Sequence, residues 1–143
     1  MNILFICTGN TCRSPMAEGI FNALSPTGTM ARSAGICTQN GLPASKFAAE
    51  LCQTVGKHGH RSQQVNEELI SWADLILTMT VEHKEWMKQR YKLLPPIETL
   101  KIYVGEMDEN ILDPFGGGKN IYETVFHELE RTIQLLIKKI NIK

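Results

Sequence analysis

Short apolar stretches alternate along the chain with longer stretches in which apolar residues recur every three or four positions. Asn2–Cys7 is almost continuously apolar, which is typical of a strand buried on both faces of a parallel sheet. Asp74–Met79 has the same character. Weaker patterns indicate a strand at Met30–Ala34, ended by Gly35, and another at Ile97–Leu100. The pattern therefore predicts four short strands spread over the first two thirds of the chain.

Helical spacing of apolar residues predicts helices between these strands. Pro15 fits the first position of a helix whose apolar residues are Met16, Ala17, Ile20, Phe21 and Leu24. Ser45–Val55 has the same spacing, and Asn66 is a suitable N-cap for a helix that continues through Trp72. Val81–Tyr91 is predicted to be a solvated helix.

The clearest helical pattern lies at the end of the chain. Its apolar stripe consists of Ile121, Val125, Leu129, Ile133, Leu136 and Ile140. This helix is predicted to pack on one face of the sheet. Strands that alternate with helices through short loops imply right-handed parallel crossovers, so the sequence predicts a doubly wound α/β sandwich. In such sheets ligands bind beyond the carboxyl ends of the strands, where the loop after Cys7 lies.

That loop, CTGNTCRS at positions 7–14, contains residues suited to an oxyanion. Successive backbone N–H groups, the N-terminus of the following helix and the planar guanidinium of Arg13 can all face one phosphoryl group. The same positive field favours a thiolate, so Cys7 is a candidate nucleophile and Ser14 a candidate hydrogen-bond donor to its sulfur. Gly9 and Asn10 tolerate a positive φ where the loop turns. The alternative is a buried structural cysteine, because the C-x5-R spacing also arises by chance.

Length and composition narrow the class of protein. The 143 residues, of which 43% are hydrophobic, fit a single domain over 1–143 that needs no metal or disulfide to fold. Fifteen basic and fifteen acidic residues give no net charge, so nucleic acid is not an expected partner. No apolar run approaches the roughly 18 residues that span a bilayer, so no membrane association is expected. Without a secretion signal, a cytoplasmic protein with reduced thiols is predicted; its cysteines are Cys7, Cys12, Cys37 and Cys52.

Four sequence blocks together resemble the low-molecular-weight protein-tyrosine-phosphatase family. They are CTGNTCRSPMAE at 7–18, SAG at 33–35, ADLILTM at 73–79 and DPFGG at 113–117. The resemblance implies a three-layer fold with a four-stranded parallel sheet, a cysteinyl-phosphate intermediate, phosphoprotein substrates, a monomer, and neither a metal nor an organic cofactor. It also identifies Asp113 of the Asp-Pro motif as the general acid. The catalytic residues are expected to be Cys7, Arg13 and Asp113. The residues expected to bind the phosphate or support the loop are Thr8, Gly9, Asn10, Thr11, Cys12, Ser14 and Ser33.

Thr11 indicates which phosphorylated side chain the protein accepts as substrate. Tyrosine-directed members of the family usually carry an aliphatic residue at this position, whereas the bacterial protein-arginine phosphatases carry Thr, which this sequence resembles. A hydroxyl can hydrogen-bond to a guanidinium leaving group or to the hydrolytic water, while a methyl group cannot. Phe115 supplies one aromatic wall. Gly116 stands where many tyrosine-directed members carry a second aromatic residue, so that side of the pocket is left open. Phosphoarginine is therefore the predicted substrate and phosphotyrosine the alternative. Cys37 departs from the aromatic residue that relatives often place on the pocket rim.

Other readings of the same residues remain open. As in relatives, Cys12 is expected to form a reversible disulfide with Cys7, and its alternative role is that of a small packing residue. A protein that binds phosphate as a redox sensor without turnover is a further alternative. Arsenate reduction is not expected, because no cysteine follows Cys52. His58 and His60 lack partners at a zinc-like spacing, so they are assigned to a solvated turn.

Overall fold

The computed structural model describes residues 1–141, so the last two residues of the predicted domain lie outside the described part. Strands and helices alternate along the chain. Their bounds are β1 Asn2–Cys7, α1 Arg13–Leu24, β2 Met30–Gly35, α2 Lys46–Thr54, α3 Glu67–Trp72, β3 Leu75–Thr78, α4 Val81–Arg90, β4 Ile97–Thr99, α5 Leu100–Tyr103 and α6 Lys119–Asn141.

The four strands form one parallel sheet in the order β2-β1-β3-β4. This confirms the predicted doubly wound sandwich with a four-stranded sheet. In the register between β1 and β2, Cys7 lies beside Gly35. Between β1 and β3, Ile6 lies beside Thr78. The carboxyl ends of the three strands therefore meet at one edge, and the loop that follows Cys7 begins there.

Alternate residues of β1 supply two separate cores. Ile3 and Phe5 pack with α1, α2 and α6 on one face of the sheet. Leu4 and Ile6 pack with α3 and α4 on the other face. Because successive side chains of a strand point to opposite faces, a continuously apolar strand fills both cores. The result is the predicted three-layer arrangement, with α6 against one face of the sheet.

Helix α1 begins two residues earlier than predicted. Its first helical residue is Arg13, and the N–H of Met16 donates to the carbonyl of Cys12 at 3.2 Å. Pro15 is thus the third helical residue instead of the first. It is tolerated there because the first N–H groups of a helix need no intrahelical partner. Leu24 was predicted on the apolar face but is 48% exposed at the end of α1.

Two further predictions about helices need correction. Ile121 is 41% exposed at the start of α6, while its neighbours Tyr122 and Phe126 are buried. Helix α4 is not wholly solvated, because it buries His83 and Met87.

Helix α5 was not predicted. Leu100 was assigned to β4, but it starts α5, whose N-cap Thr99 accepts from the N–H of Ile102 at 3.2 Å. Within residues 1–141, no helix is long and apolar enough to cross a membrane.

Candidate active site

The loop between β1 and α1 closes tightly against β2. Asn10, with a φ of 55°, takes the left-handed conformation that lets the chain turn inward, so the positive φ falls on Asn10 and not on Gly9. A Cβ atom on Gly35 would lie 2.6 Å from the carbonyl oxygen of Thr8. Only a glycine at this position of β2 leaves room for the loop. Residues 8–12 and the strand beside them therefore form one packed unit.

The side-chain amide of Asn10 holds the loop from the inside. Its Oδ1 accepts from the N–H of Gln63 at 2.9 Å, and its Nδ2 donates to Ser14 Oγ and to Ser33 Oγ, each at 2.9 Å. Ser33 in turn donates to Glu18 Oε1 at 2.6 Å. Both amide hydrogens and the amide oxygen are thus used, which fixes the orientation of the amide. Asn10 and Ser33 are buried, so the network is shielded from water.

The Asn10 network orients one of the hydrogen-bond donors to the sulfur of Cys7. Cys7 is 2% exposed, and its Sγ lies 2.9 Å from Ser14 Oγ. Because Ser14 Oγ already accepts from Asn10, its own hydrogen is free to point at the sulfur. The backbone N–H of Asn10 also donates to Cys7 Sγ at 3.3 Å. Two hydrogen-bond donors are therefore directed at this one sulfur.

Arg13 links the loop to the segment that carries Asp113. The guanidinium is buried, and its Nη1 donates to the carbonyl oxygen of Ile111 at 3.1 Å. Its Nη2 lies 3.5 Å from Asp113 Oδ2, whose side chain is 50% exposed. Asp113 Oδ1 accepts from the N–H of Phe115 at 3.0 Å, which shapes the turn after it. The structure thus brings the two charged groups together over the loop.

The Asp113 segment is held in place upstream of the carboxylate. The N–H of Ile111 donates to the carbonyl of Met79, just beyond β3, at 2.9 Å. Asn110 Oδ1 accepts from the N–H of Val81, the first residue of α4, at 3.0 Å. Backbone and side-chain contacts to the end of β3 and the start of α4 therefore place Asp113 without a regular element around it.

A cavity of about 220 Å³ opens between the loop and the Asp113 segment. Phe115, which is 75% exposed, forms part of its mouth, while Cys7 lies buried at its base. Asn10, Ser14 and Ser33 are buried behind the loop and are not among the lining residues. The lining residues are Cys7, Thr8, Gly9, Thr11, Cys12, Arg13, Asp113 and Phe115.

Cys12 lines the cavity and also contacts the helical layer. Its Sγ lies 3.2 Å from Ser45 Oγ and 3.3 Å from the hydroxyl of Tyr122 in α6. Burial and the contact with Cys12 raise the pKa of Tyr122. Thr11 is half-buried beside Cys12, with 3.9 Å between Thr11 Oγ1 and Cys12 Sγ. Cys37 is exposed and lies in a shallow groove that adjoins the cavity at Thr11.

The assignment of His60 to a solvated turn is wrong. His60 is half-buried, and its Nε2 donates to the carbonyl oxygen of Asn10 at 2.7 Å, while His58 is exposed as predicted. Burial lowers the pKa of His60, although the bond to Asn10 acts in the opposite direction. No local pattern in the sequence indicates this contact, which joins residues 50 positions apart. Lys57, close to His60, forms a 2.6 Å ion pair with Glu18.

His83 is a second residue that the sequence analysis missed. It is buried at the start of α4, where its Nδ1 accepts from the N–H of Thr80 at 3.2 Å. Its Nε2 lies 2.9 Å from Thr8 Oγ1. Burial, together with the nearby positive charge of Arg13, lowers the pKa of His83 to about 4. The Thr-x-x-His spacing at 80–83 resembles a capping box and is the one signal that points to part of this role.

A buried thiol and a buried guanidinium at the carboxyl edge of a parallel sheet, with a carboxylate above them, define a cysteine-dependent phosphatase. The chain belongs to the low molecular weight phosphotyrosine protein phosphatase family, whose model matches residues 2–143. Its substrates are accordingly phosphorylated proteins and its product is inorganic phosphate. Among residues 1–141, no group of three or more His, Cys, Asp and Glu side chains is arranged to hold a metal ion.

Relatives of two kinds match nearly the whole chain. A protein-arginine-phosphatase from Geobacillus stearothermophilus is 39% identical over 140 residues, which cover 96% of this chain and 95% of the relative. The low molecular weight protein-tyrosine-phosphatase PtpB of Staphylococcus aureus is also 39% identical, over 142 residues and 96% of each chain. Equal identity to both means that overall similarity does not distinguish the two activities.

Solved structures agree with the fold in detail. The YwlE arginine phosphatase from Geobacillus stearothermophilus superimposes with a TM-score of 0.90 at 38% identity, covering 98% of this chain and 92% of that one. A YwlE mutant with a phosphorylated active-site serine in place of cysteine superimposes with a TM-score of 0.93 at 36% identity, covering 100% and 97%.

Proposed function

We propose that this protein hydrolyses phosphoarginine on proteins through a cysteinyl-phosphate formed on Cys7. The observation that carries the proposal is the composition of the cavity. A buried thiol, a buried guanidinium and a carboxylate converge there, and Thr11 places a hydroxyl-bearing side chain among the lining residues. A cavity of this kind suits a small phosphoryl group attached to a polar leaving group.

In the first step, the Cys7 thiolate attacks phosphorus in line with the bond to the leaving group. Arg13 and the backbone N–H groups of residues 8–12 hold the three equatorial oxygens, over which charge is spread in the transition state. Asp113 gives a proton to the departing guanidinium nitrogen as the phosphorus–nitrogen bond breaks. The products of this step are phosphocysteine and a free arginine side chain.

In the second step, the ionised Asp113 accepts a proton from a water molecule that attacks the phosphocysteine. The phosphorus–sulfur bond breaks, inorganic phosphate leaves and the thiolate returns. The Ser14 hydroxyl faces the Cys7 sulfur, so it can donate to that sulfur when it is the nucleophile in the first step and when it is the leaving group in the second. The serine phosphorylated in the YwlE mutant is consistent with a phosphoryl group on the residue at this position.

Three features support phosphoarginine as the substrate. Thr11 lies on the cavity wall and can hydrogen-bond to a guanidinium or to the attacking water. Phe115 is the aromatic residue that lines the cavity, and a Cβ on the following Gly116 would have no neighbour within 4 Å, so the space beside Gly116 is open. The Geobacillus stearothermophilus relative is named as a protein-arginine-phosphatase.

Phosphotyrosine is the second candidate substrate. The observation that favours it is the equally similar Staphylococcus aureus relative, which is named as a protein-tyrosine-phosphatase. The exposed ring of Phe115 could also stack on a phenol ring.

The deciding experiment compares kcat/KM on peptides of one sequence that carry either phosphoarginine or phosphotyrosine. Cys7→Ser protein serves as the blank. A preference for phosphoarginine that Thr11→Ile reduces or reverses supports the proposal. A preference for phosphotyrosine in the unaltered protein overturns it in favour of the second candidate. If the unaltered protein binds both peptides and turns over neither, the alternative of a phosphate-binding sensor is correct.

We also propose that the protein acts as a cytoplasmic monomer, with neither nucleic acid nor membrane as a partner. The balanced charge of fifteen basic and fifteen acidic residues argues against a nucleic-acid partner, the four free thiols fit a cytoplasmic location, and the monomer is what the family resemblance implies. Sedimentation of the purified protein tests the monomer, and fractionation of cells that express it tests the location.

The pair Cys7 and Cys12 is proposed to protect the nucleophile from oxidation. Peroxide would convert the Cys7 thiolate to a sulfenic acid, and the Cys12 thiol would then displace water to form a disulfide. Mass spectrometry after mild peroxide treatment tests this step. A product that carries sulfinic acid on Cys7 and no crosslink to Cys12 would contradict it.

A further inference from the structure

Thr8 and His83 form a contact at the cavity that the mechanism above does not use. Thr8 is the first residue after the nucleophile, and His83 belongs to the first turn of α4. The 2.9 Å between His83 Nε2 and Thr8 Oγ1 joins residues 75 positions apart. His83 is 3% exposed as a residue, so its side chain is packed inside the protein.

The direction of this hydrogen bond follows from the other ring nitrogen. His83 Nδ1 accepts from the backbone N–H of Thr80, so it carries no hydrogen of its own. A neutral imidazole bears one hydrogen, which must then lie on Nε2. Nε2–H therefore donates and Thr8 Oγ1 accepts. The lowered pKa of His83 is consistent with a neutral ring near pH 7.

The position of Thr8 decides what its hydroxyl can reach. Cys7 is buried at the base of the cavity, whereas Thr8 is exposed and lines the same cavity with Asp113 and Phe115. Asp113 is the residue proposed to protonate the leaving group. Because Thr8 shares this cavity with Asp113 and is exposed while Cys7 is buried, we place its side chain nearer to the leaving group than to the buried sulfur.

We propose that His83 orients the Thr8 hydroxyl to accept a hydrogen bond from the guanidinium of the substrate, which makes Thr8 a specificity-determining residue and His83 a positioning residue. The inference rests on the proposed phosphoarginine phosphatase activity. Once Thr8 Oγ1 has accepted from His83, it keeps one lone pair. The N–H groups of a guanidinium can donate to that lone pair, whereas the phenol ring of phosphotyrosine has no N–H group to offer.

The first test compares Thr8→Val with Thr8→Ser on the matched phosphoarginine and phosphotyrosine peptides. Valine keeps the shape of threonine and removes the hydroxyl, while serine keeps the hydroxyl. We expect the ratio of kcat/KM for phosphoarginine to that for phosphotyrosine to fall about tenfold in Thr8→Val, the loss typical of one hydrogen bond to a charged group. Thr8→Ser should restore the ratio to within about threefold of the unaltered protein.

The second test separates the contact with Thr8 from the capping of α4. His83→Gln keeps a donor near the Nε2 position, and His83→Asn keeps an acceptor near Nδ1 that can still cap Thr80. We expect His83→Asn to retain most of the Tm and to lower the substrate ratio about threefold. His83→Gln should lower the Tm and retain the substrate ratio. If the role of His83 were purely structural, the substrate ratio would instead fall in whichever variant has the lower Tm.

The outcomes distinguish this inference from the function on which it rests. If the unaltered protein does not turn over phosphoarginine, both are overturned. If it does, and Thr8→Val retains the same substrate ratio with a Tm near that of the unaltered protein, the inference alone is overturned. Because Thr8 is exposed, its variants are expected to fold. The first test is therefore decisive even if a variant of His83 fails to fold.

Discussion

The guanidinium of Arg13 donates a 3.1 Å hydrogen bond to the carbonyl oxygen of Ile111, two residues before Asp113. The group proposed to hold the phosphate is thereby attached to the segment that carries the proposed acid. Ile111 is itself hydrogen-bonded to Met79 at the end of β3. Phosphate binding and placement of the acid therefore depend on the same side chain and on the same edge of the sheet.

Arg13→Lys should lower kcat by about 10³-fold or more. A lysine offers one compact ammonium group, which cannot bind two phosphoryl oxygens and the Ile111 carbonyl together. Steady-state kinetics on either phosphopeptide measures the effect, and thermal unfolding checks that the variant folds. Arg13→Ala is expected to remove turnover. A folded Arg13→Lys protein with near-normal kcat would contradict the assigned role of the guanidinium.

Asp113→Asn should slow the step that expels the leaving group by about 10²–10⁴-fold. The amide oxygen can still accept from the N–H of Phe115, so the shape of the turn is retained while the proton is lost. A nitrophenyl phosphate provides the comparison. Its leaving group departs without a proton, so Asp113→Asn should reduce its rate of hydrolysis less. The comparison uses kcat/KM, which includes expulsion of the leaving group but not the later hydrolysis of phosphocysteine, in which Asp113 is the proposed base. Equal losses of kcat/KM for both substrates would mean that Asp113 shapes the segment and does not protonate the leaving group.

Asn10→Ala and Asn10→Gly separate backbone strain from the side-chain network. Both variants lose the bonds to Ser14, Ser33 and Gln63, so both should lose most of their activity. Only alanine also suffers from the positive φ of 55°, which glycine adopts freely. In urea unfolding, Asn10→Gly should be about 1 kcal/mol more stable than Asn10→Ala. Equal stabilities would show that the loop relaxes to another conformation.

Gly35→Ala should distort the loop from outside the cavity. The new methyl group would lie 2.6 Å from the carbonyl oxygen of Thr8 and 3.1 Å from the backbone nitrogen of Asn10, so backbone must move. We expect a lower Tm and a kcat reduced at least about tenfold, as misplaced catalytic groups cause. Gly118→Ala is the matched control, since its Cβ meets no neighbour within 4 Å and its Tm should change little.

Acid should destabilise the protein through its buried histidines. Burial lowers the pKa of His83 to about 4 from 6.5 and also lowers that of His60. Between these values the unfolded chain binds more protons than the folded one, so the free energy of unfolding falls as the pH drops from 6.5 to 4. His83 contributes on the order of 3 kcal/mol to this loss. Urea unfolding at several pH values should show a shallower decline in His83→Asn, and an unchanged slope would refute the assignment.

Strong periodicity explains which elements were predictable. β1 and α6 follow from their own residues, because a strand buried on both faces is continuously apolar and a long helix repeats its stripe several times. Helix α5 has only four residues, Leu100–Tyr103, which is about one turn and too short for any repeat. The exposure of Ile121 depends on how α6 approaches the sheet, and its spacing alone does not determine that.

In the candidate site too, only the residues that belong to a local pattern could be predicted from the sequence itself. Residues 7–14 could be assigned from the sequence because they are contiguous and lie between a strand and a helix. The contacts of Gly35, His60 and His83 with the loop could not be predicted, because each acts on the loop from a segment that is distant in the chain. Ser33 and Asp113 are distant too, and they could be assigned only through the family resemblance. His60 reaches Asn10 across 50 positions and His83 reaches Thr8 across 75. Nothing local to a histidine reveals such a partner.

The Asn10 network has a consequence for how the protein acquires its reactivity. Its amide joins Ser14, Ser33 and Gln63, which lie 4, 23 and 53 positions away, and Ser14 presents its hydrogen to Cys7 only when that amide is in place. These partners meet after β1 and β2 have paired and the segment around Gln63 has docked. During refolding, the two hydrogen-bond donors to Cys7 are therefore assembled only once the tertiary structure is complete. Any reactivity that depends on those donors is acquired together with the native state.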